Sequence, residues 1–133
     1  MAPASASARA FALAAARLAA QTRCHQVTVL DVSGLSPVCD YLVLATGTSA
    51  RQMHTVADEI LELGKSHDYP DFSHSGYAGD TWVCLDFIDL VVHLFNQEAR
   101  MYYDLDGLWG DAPKVDWEAE AGAETPATTS ATE

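Results

Sequence analysis

Two aspartates and a histidine lie close together in the sequence and have the residue types of a metal site. Asp86 and Asp89 flank a tight turn at Phe87-Ile88, and His93 follows in the next apolar run. Carboxylate and imidazole groups bind divalent cations. Aspartates beside a tight turn, however, more often accept hydrogen bonds from turn amides, and a histidine inside an apolar run is more often a bonded strand residue. We therefore expect turn-bonding aspartates here and no metal ligands.

The turn Gly47-Thr48-Ser49 precedes a predicted helix and offers backbone amides to an anion, as phosphate-binding helix N-termini do. It has neither the lysine of a phosphate-binding loop nor the glycine spacing of a dinucleotide motif. A nucleotidyltransferase would also need two strand-borne carboxylates for magnesium, whereas Asp58 and Glu59 fall on a helix and do not share one face. Helix capping is the favoured interpretation. The alternative is a nucleotide-binding or nucleotidyl-transferring enzyme that uses this turn with Asp86 or Asp89.

The stretch from Trp82 to Trp109 is rich in aromatic and acidic residues. Tyr102 and Tyr103 are adjacent, so they cannot point the same way on a helix or strand, and at least one is expected at the surface. A tyrosine beside Asp104 and Asp106 can contact a basic protein through apolar area and charge together. The segment therefore indicates a protein-binding surface.

The charge of the chain points to the same class of partner. The 133 residues carry a net charge of −12, and residues 1–30 contain three arginines and no acid, so the rest carries −15. Affinity for DNA or RNA comes from Lys and Arg at phosphates, so we expect no direct nucleic-acid binding. The natural macromolecular partners of such a protein are basic proteins.

The cysteines and the apolar runs exclude further classes. Cys24, Cys39 and Cys84 are widely spaced and lie in or beside apolar segments, which predicts core or near-core thiols in a reducing compartment and no disulfide framework. The histidines show no zinc-ligand spacing with them. No apolar run reaches the roughly 18 to 20 residues of a membrane span. The sequence leaves the oligomeric state open, a homodimer included.

Apolar periodicity predicts the elements that hold these residues. A helix is expected from Ser49, with Met53, Val56 and Ile60 on one face and its end at Gly64. The order helix, strand, strand, helix, three strands and a short helix predicts an α/β domain with a mixed sheet of about five strands, flanking helices and mostly antiparallel hairpins. The predicted strands are residues 27–32, 41–45, a short strand around 72–77, 83–87 and 90–94.

The first 22 residues allow two interpretations. Ala, Ser and Arg without acid is the composition of an organelle transit peptide. However, Phe11, Ala15, Leu18 and Thr22 fall on one helical face, and no linker separates them from the first strand. The pattern favours an N-terminal helix (1–22) that is part of the domain.

The end of the chain differs in composition from the rest. From residue 115 it is acidic and rich in Ala and Thr, with no core-forming residue after Trp117. Such a segment cannot bury enough apolar surface to offset its ordering entropy. We therefore expect a domain over residues 23–114 and a disordered acidic tail over 115–133.

Three linked blocks of the sequence closely resemble the ribosomal silencing factor family, also called Iojap-like proteins. They are VLDVSGLSPVCDYLVLATGTSARQ with the following ADEI, WVCLDFIDLVVHLF, and RMYYDLDGLWGDAP. The blocks occur in the family's order within residues 22–117. The resemblance implies a fold like that of nucleotidyltransferases, without catalytic carboxylates, and a protein that is not an enzyme and needs no cofactor or metal.

The resemblance also implies a mechanism. Members repress translation by binding the large ribosomal subunit through ribosomal protein fourteen, a basic protein of the subunit interface, and so sterically block joining of the small subunit. By position, the binding face includes Trp82, Phe87 and Tyr103, with neighbouring acids such as Asp86 for complementary charge. Asp104 belongs to the same expected surface.

Two positions depart from the family pattern. The family usually has Gly in the corner where this chain has Ile88, which leaves the turn geometry open. It usually has Glu before Gly76, where Ser75 removes one acid from the expected interface. Bacterial members begin with a helix, whereas organelle members carry an additional leader, so the resemblance favours a bacterial cytoplasmic protein.

Overall fold

A computed structural model describes residues 2–70, 73–76 and 81–119. They form a mixed six-stranded sheet with helices on both faces, which confirms the predicted fold class. The sixth strand, absent from the prediction, is only two residues long. In chain order the elements are α1 (Ala2–Gln21), β1 (His25–Asp31), β2 (Tyr41–Thr46), α2 (Ala50–Ser66), β3 (Ser73–Ser75), β4 (Trp82–Asp86), β5 (Leu90–Phe95), α3 (Gln97–Tyr103), α4 (Leu105–Leu108) and β6 (Lys114–Val115).

The strand order across the sheet is β3-β4-β5-β2-β1-β6. Consecutive strands β1–β2, β3–β4 and β4–β5 pair antiparallel, as predicted. The central pair β2–β5 is parallel, with Tyr41 opposite Leu90 and Thr46 opposite Phe95. Parallel neighbours need a long crossover, and α2 with the β3–β4 hairpin supplies it. Because β2 lies in the middle, all six of its residues are buried.

The helices α1 and α2 cover one face of the sheet. α2 begins at the predicted cap, where Ser49 accepts a hydrogen bond from the Gln52 amide at 3.0 Å, and it buries Met53, Val56 and Ile60. Phe11 of α1 is fully buried and meets Phe87 edge-on, with ring centroids 4.8 Å apart. These contacts form the larger apolar core.

The predicted end of α2 at Gly64 is wrong by two residues, because the helix continues to Ser66. Gly64 has a different role, since a Cβ there would lie 2.5 Å from the Tyr69 carbonyl oxygen and 2.9 Å from a Phe87 ring carbon. The glycine permits close approach of the helix to the chain that follows it.

The opposite face of the sheet is covered only in part within the described residues. α3, α4 and the chain near Ala112 pack over β1 and β2, where Leu30, Leu42, Leu44 and Phe95 form a second core. Two short helices thus occupy the position of the one predicted helix, because Asp104 separates them with a left-handed backbone conformation.

Residues 115–119, assigned to the tail from sequence, are part of the fold. Val115 pairs with Val29 as β6, and the Trp117 indole Nε1 donates to the Val27 carbonyl at 2.9 Å. Both side chains pack against the larger core. The rest of the predicted tail, residues 120–133, lies outside the described residues. So do Phe72 and Tyr77, the ends of the predicted short strand. Among the described helices, none has the length and apolarity needed to cross a membrane.

Candidate protein-binding surface

One part of the sheet, formed by β4 and β5, is only half-buried on the face of the second core, against which Trp82 and Val91 pack. Alternation along β4 and β5 directs five half-buried side chains to the side opposite α1 and α2, and the register pairs Cys84 with His93 and Asp86 with Val91. We call this the open sheet face; its residues are Trp82, Cys84, Asp86, Val91 and His93. Burial raises the pKa of the Cys84 thiol, and Asp86 adds to the rise, so the thiol stays neutral.

Trp82 anchors one end of the open sheet face. Its indole Nε1 donates to His93 Nδ1 at 3.0 Å, and its ring lies 4.5 Å from the Tyr103 ring and 5.5 Å from the Phe95 ring. Burial lowers the pKa of His93 to about 4, against a smaller opposing effect of Asp86. His93 is therefore neutral at pH 7 and is a bonded strand residue, as predicted.

The two adjacent tyrosines extend the aromatic surface beyond Trp82. Tyr103 is 50% exposed and Tyr102 is 81% exposed, and their rings meet edge-on with centroids 5.0 Å apart. Both tyrosines border a shallow groove with Thr81 and Glu98. The expectation that at least one tyrosine reaches the surface is confirmed. We call Trp82, Tyr102 and Tyr103 the aromatic cluster.

Asp104 follows the aromatic cluster directly. It has φ +50°, and its carboxylate Oδ1 accepts a hydrogen bond from the Gly107 amide at 3.1 Å, which caps α4. The residue is exposed, so one carboxylate both starts the short helix and places negative charge beside Tyr103.

The five residues predicted for the binding face do not form one cluster. Trp82, Tyr103 and Asp104 lie together, but Asp86 is four residues along β4 from Trp82, about 13 Å at the usual rise of a strand. Phe87 was placed on this face wrongly. It is 2% exposed and points into the larger core, because it continues the inward phase of Val83 and Leu85.

The corner after β4 is held by its aspartates. Asp86 Oδ1 accepts from the Ile88 amide at 2.8 Å, as predicted. Asp89 was also expected to bond a turn amide, but its carboxylate accepts from the Tyr69 hydroxyl at 3.0 Å. Burial, with this bond, raises the pKa of Tyr69 to about 12. No group of three or more potential metal ligands occurs among the described residues.

The Gly47-Thr48-Ser49 turn is built as a helix cap. The Gly47 amide donates to the Phe95 carbonyl at 2.7 Å, and the Thr48 amide donates to Gln52 Oε1 at 3.0 Å. Two of the amides that would hold a phosphate are therefore bonded within the protein. A Cβ at Gly47 would lie 2.1 Å from Met53 Cγ, so close packing accounts for this glycine.

The structural role of Arg100 was not predicted from the sequence. Its side chain is only 6% exposed and is bonded to groups on three other elements. Arginine is rarely buried without such partners, but most of them are distant in sequence and could not be identified from it. His93 as the partner of Trp82 could have been anticipated, since both share the outward phase of neighbouring strands.

Comparison with known proteins gives a consistent result. A family model described as "Ribosomal silencing factor during starvation" matches residues 5–133. Ribosomal silencing factor RsfS of Bacillus subtilis is 36% identical over 94 residues, which are 71% of this chain and 80% of that protein. The mouse protein named "Mitochondrial assembly of ribosomal large subunit protein 1" is 31% identical over 108 residues, 79% of this chain and 47% of that protein.

The fold has solved counterparts. A crystal structure of a protein from Chromobacterium violaceum matches with a TM-score of 0.69 at 28% identity, over 77% of this chain and 83% of that one. A second, from Bacillus halodurans, matches with a TM-score of 0.66 at 29% identity, over 77% and 92%. With the family match over nearly its whole length, this chain belongs to the ribosomal silencing factor family.

Proposed function

We propose that this chain represses translation by binding the large ribosomal subunit through ribosomal protein fourteen and blocking the joining of the small subunit. The observation that carries the proposal is the aromatic cluster at the end of a half-buried sheet face that contains Asp86. Exposed tyrosines beside a half-buried tryptophan and carboxylates suit a basic protein partner, because such rings supply the central apolar contacts of interfaces.

Charge around the surface supports a basic partner. Acidic residues lie in the open sheet face (Asp86) and beside the aromatic cluster (Glu98 and Asp104), whereas Arg100, the basic residue of this segment, is turned inward and paired with Asp106. Complementary charge mainly speeds encounter and excludes wrong partners. The contacts of the aromatic cluster then limit dissociation.

The proposed mechanism is steric. The open sheet face is about 13 Å long between Trp82 and Asp86, and the tyrosines extend it. An interface of standard size buries about 800 Å² per partner, so a strip of this length can form the centre of the contact and not all of it. A bound domain of about 100 residues has a radius of gyration near 13 Å, so it cannot share a subunit interface meant for close contact.

We assign no catalytic role to the chain in this proposal. The turn that an enzyme would use for phosphate caps α2, and two of its amides are already bonded. Asp86 and Asp89 bond an amide and a hydroxyl. We place the activity in a bacterial cytoplasm; the burial of Phe11 and Ala15 in the core supports a structural role for the first helix.

The direct test is cosedimentation of the purified protein with separated ribosomal subunits. We expect recovery with large subunits and not with small ones. Binding should weaken as salt rises, because exposed charges are screened over about 8 Å at physiological ionic strength. Equal recovery with both subunits, or with neither, would contradict the proposal.

A further inference from the structure

Arg100 is a buried charge with an unusually complete set of partners. One terminal nitrogen donates to the Gln26 carbonyl and to Thr46 Oγ1, the latter at 3.1 Å. The other donates to Thr28 Oγ1 at 3.1 Å and to Asp106 Oδ2 at 3.0 Å. Burying a guanidinium is costly unless it is paired and hydrogen-bonded, and these bonds meet that requirement.

The partners of Arg100 belong to three other elements. From α3 its side chain reaches β1, β2 and α4 at once, and it lies over the Phe95 ring at 5.9 Å from the centroid. Its backbone carbonyl accepts from the Asp104 amide at 3.1 Å, so the residue also closes the end of α3. Arg100 therefore connects the sheet to the segment that carries Tyr103.

α3 and α4 need such a connection. They have seven and four residues, which is too short for a helix to be stable by itself in water. Apolar contacts of Ala99, Leu105 and Trp109 hold them near the second core. Apolar contacts are not directional, whereas the planar guanidinium fork fixes both distance and angle.

We propose that Arg100 is a positioning residue for partner binding, which acts by holding α3 and α4 so that the Tyr103 ring stays 4.5 Å from Trp82. The ion pair with Asp106, whose carboxylate is about half exposed, contributes little net stability, so we assign to the bonds of Arg100 the role of fixing geometry. The binding role rests on the proposed function. The structural role, fixing Tyr103 against Trp82, does not depend on it.

The first experiment compares the full-length protein with Arg100→Lys, which keeps the charge and loses the fork. We expect amide hydrogen exchange of residues 101–108 to become about tenfold faster, while exchange in α2 stays unchanged. Dissociation from large subunits should also become about tenfold faster at an unchanged association rate. Arg51→Lys, an exposed change on α2, is the matched control and should alter neither rate.

The second experiment combines Arg100→Lys with Tyr103→Ala. If Arg100 acts through Tyr103, the double variant binds no more weakly than Tyr103→Ala alone. Both substitutions then remove the same contact with the partner, and that contact can be lost only once. Losses that multiply would overturn the proposal, since they indicate a general structural effect. Unchanged exchange in residues 101–108 of a folded Arg100→Lys protein would overturn it as well.

Should Arg100→Lys fail to fold, Asp106→Asn replaces it, because Asp106 is about half exposed and the bonds of Arg100 to the sheet remain. Exchange in α4 should then become faster and binding weaker, and no change in either would overturn the proposal. If the unchanged protein does not bind large subunits, the proposed function fails. The exchange comparison still decides whether Arg100 orders the segment.

Discussion

The rings of Trp82 and Tyr103 are in contact, but the two side chains differ in how many contacts they make with the rest of the fold. Trp82 also bonds His93 and packs on Phe95, whereas half of Tyr103 is exposed. Removal of Tyr103 should therefore affect binding and leave stability nearly unchanged. Removal of Trp82 should affect both.

We predict that Tyr103→Ala weakens binding to large subunits by about 30-fold, because a central aromatic residue of an interface contributes about 2 kcal/mol or more. Trp82→Ala should weaken binding at least as much and also lower the melting temperature. Leu35→Ala is the control, since Leu35 is similarly exposed but lies beside Asp31 and Pro113. Binding lost only in proportion to lost folding would show that these residues have a purely structural role.

His93 makes stability depend on pH. Its pKa is lowered from 6.5 to about 4 in the folded protein, chiefly by burial. Between these pH values the histidine of the unfolded chain binds a proton that the histidine of the folded protein does not. The contribution of neutral His93 to the free energy of unfolding is therefore complete above about pH 6.5 and is lost as the pH falls towards 4. We predict that the free energy of unfolding falls more between pH 7 and pH 5 in the unchanged protein than in His93→Asn. Equal losses in urea titrations would contradict this assignment.

Ile88 occupies a backbone conformation that suits glycine. Its φ is +76°, and a left-handed conformation costs an L-residue roughly 1–2 kcal/mol, partly offset by the chain entropy that glycine loses on folding. We predict that Ile88→Gly raises the free energy of unfolding by up to about 1 kcal/mol. Ile88→Val, which keeps the branched side chain, should give no gain. A less stable glycine variant would show that the exposed Ile88 side chain stabilises the corner.

Residue roles were predictable where they depend on neighbours in sequence. Asp86 bonds its turn amide and Ser49 caps its helix, because both partners are two or three positions away. The inward side of Phe87 also follows from its alternation with Val83 and Leu85, although the position-by-position resemblance led us to place it outside. Arg100 could not be assigned from sequence, since Thr28 and Thr46 lie 72 and 54 positions from it.

At the scale of elements, apolar periodicity located the long helix and the main strands. Apolar periodicity gave the wrong element where a residue is determined by contacts with another part of the chain. Gly64 marks close packing against Tyr69 and not a helix end, and β6 is held by pairing with β1 and not by its own composition. Two-residue strands and four-residue helices have too little periodicity to be identified from sequence.

The C-terminal boundary of the domain gives an element-scale prediction. Removal of residues 118–133 should leave the melting temperature unchanged, because this segment has no apolar periodicity. Removal of residues 113–133 also deletes β6 and the packing of Trp117, and should cost about 2 kcal/mol or more. Calorimetry of the two truncated chains distinguishes these effects. Equal melting temperatures for both would contradict a structural role for β6 and Trp117.

At the scale of the whole molecule, the fold divides the two sides of the sheet between different tasks. α1 and α2 bury one side and provide the larger core, while α3 and α4 cover β4 and β5 only in part on the other within the described residues. Asp86, Glu98 and Asp104 lie on or beside that half-buried side. Under the proposed function, this half-buried side is the one that meets the basic partner.

We propose that the bound protein prevents subunit joining, and sedimentation after mixing in both orders tests this most directly. Added to large subunits before small ones, at saturating concentration and without nucleotide consumption, the protein should lower the yield of joined ribosomes. Added to pre-joined ribosomes, it should have little effect, because its binding surface is already covered. If the protein saturates the large subunits before small subunits are added and joining is still undiminished, the result would contradict silencing. It would then support binding to the large subunit and no more.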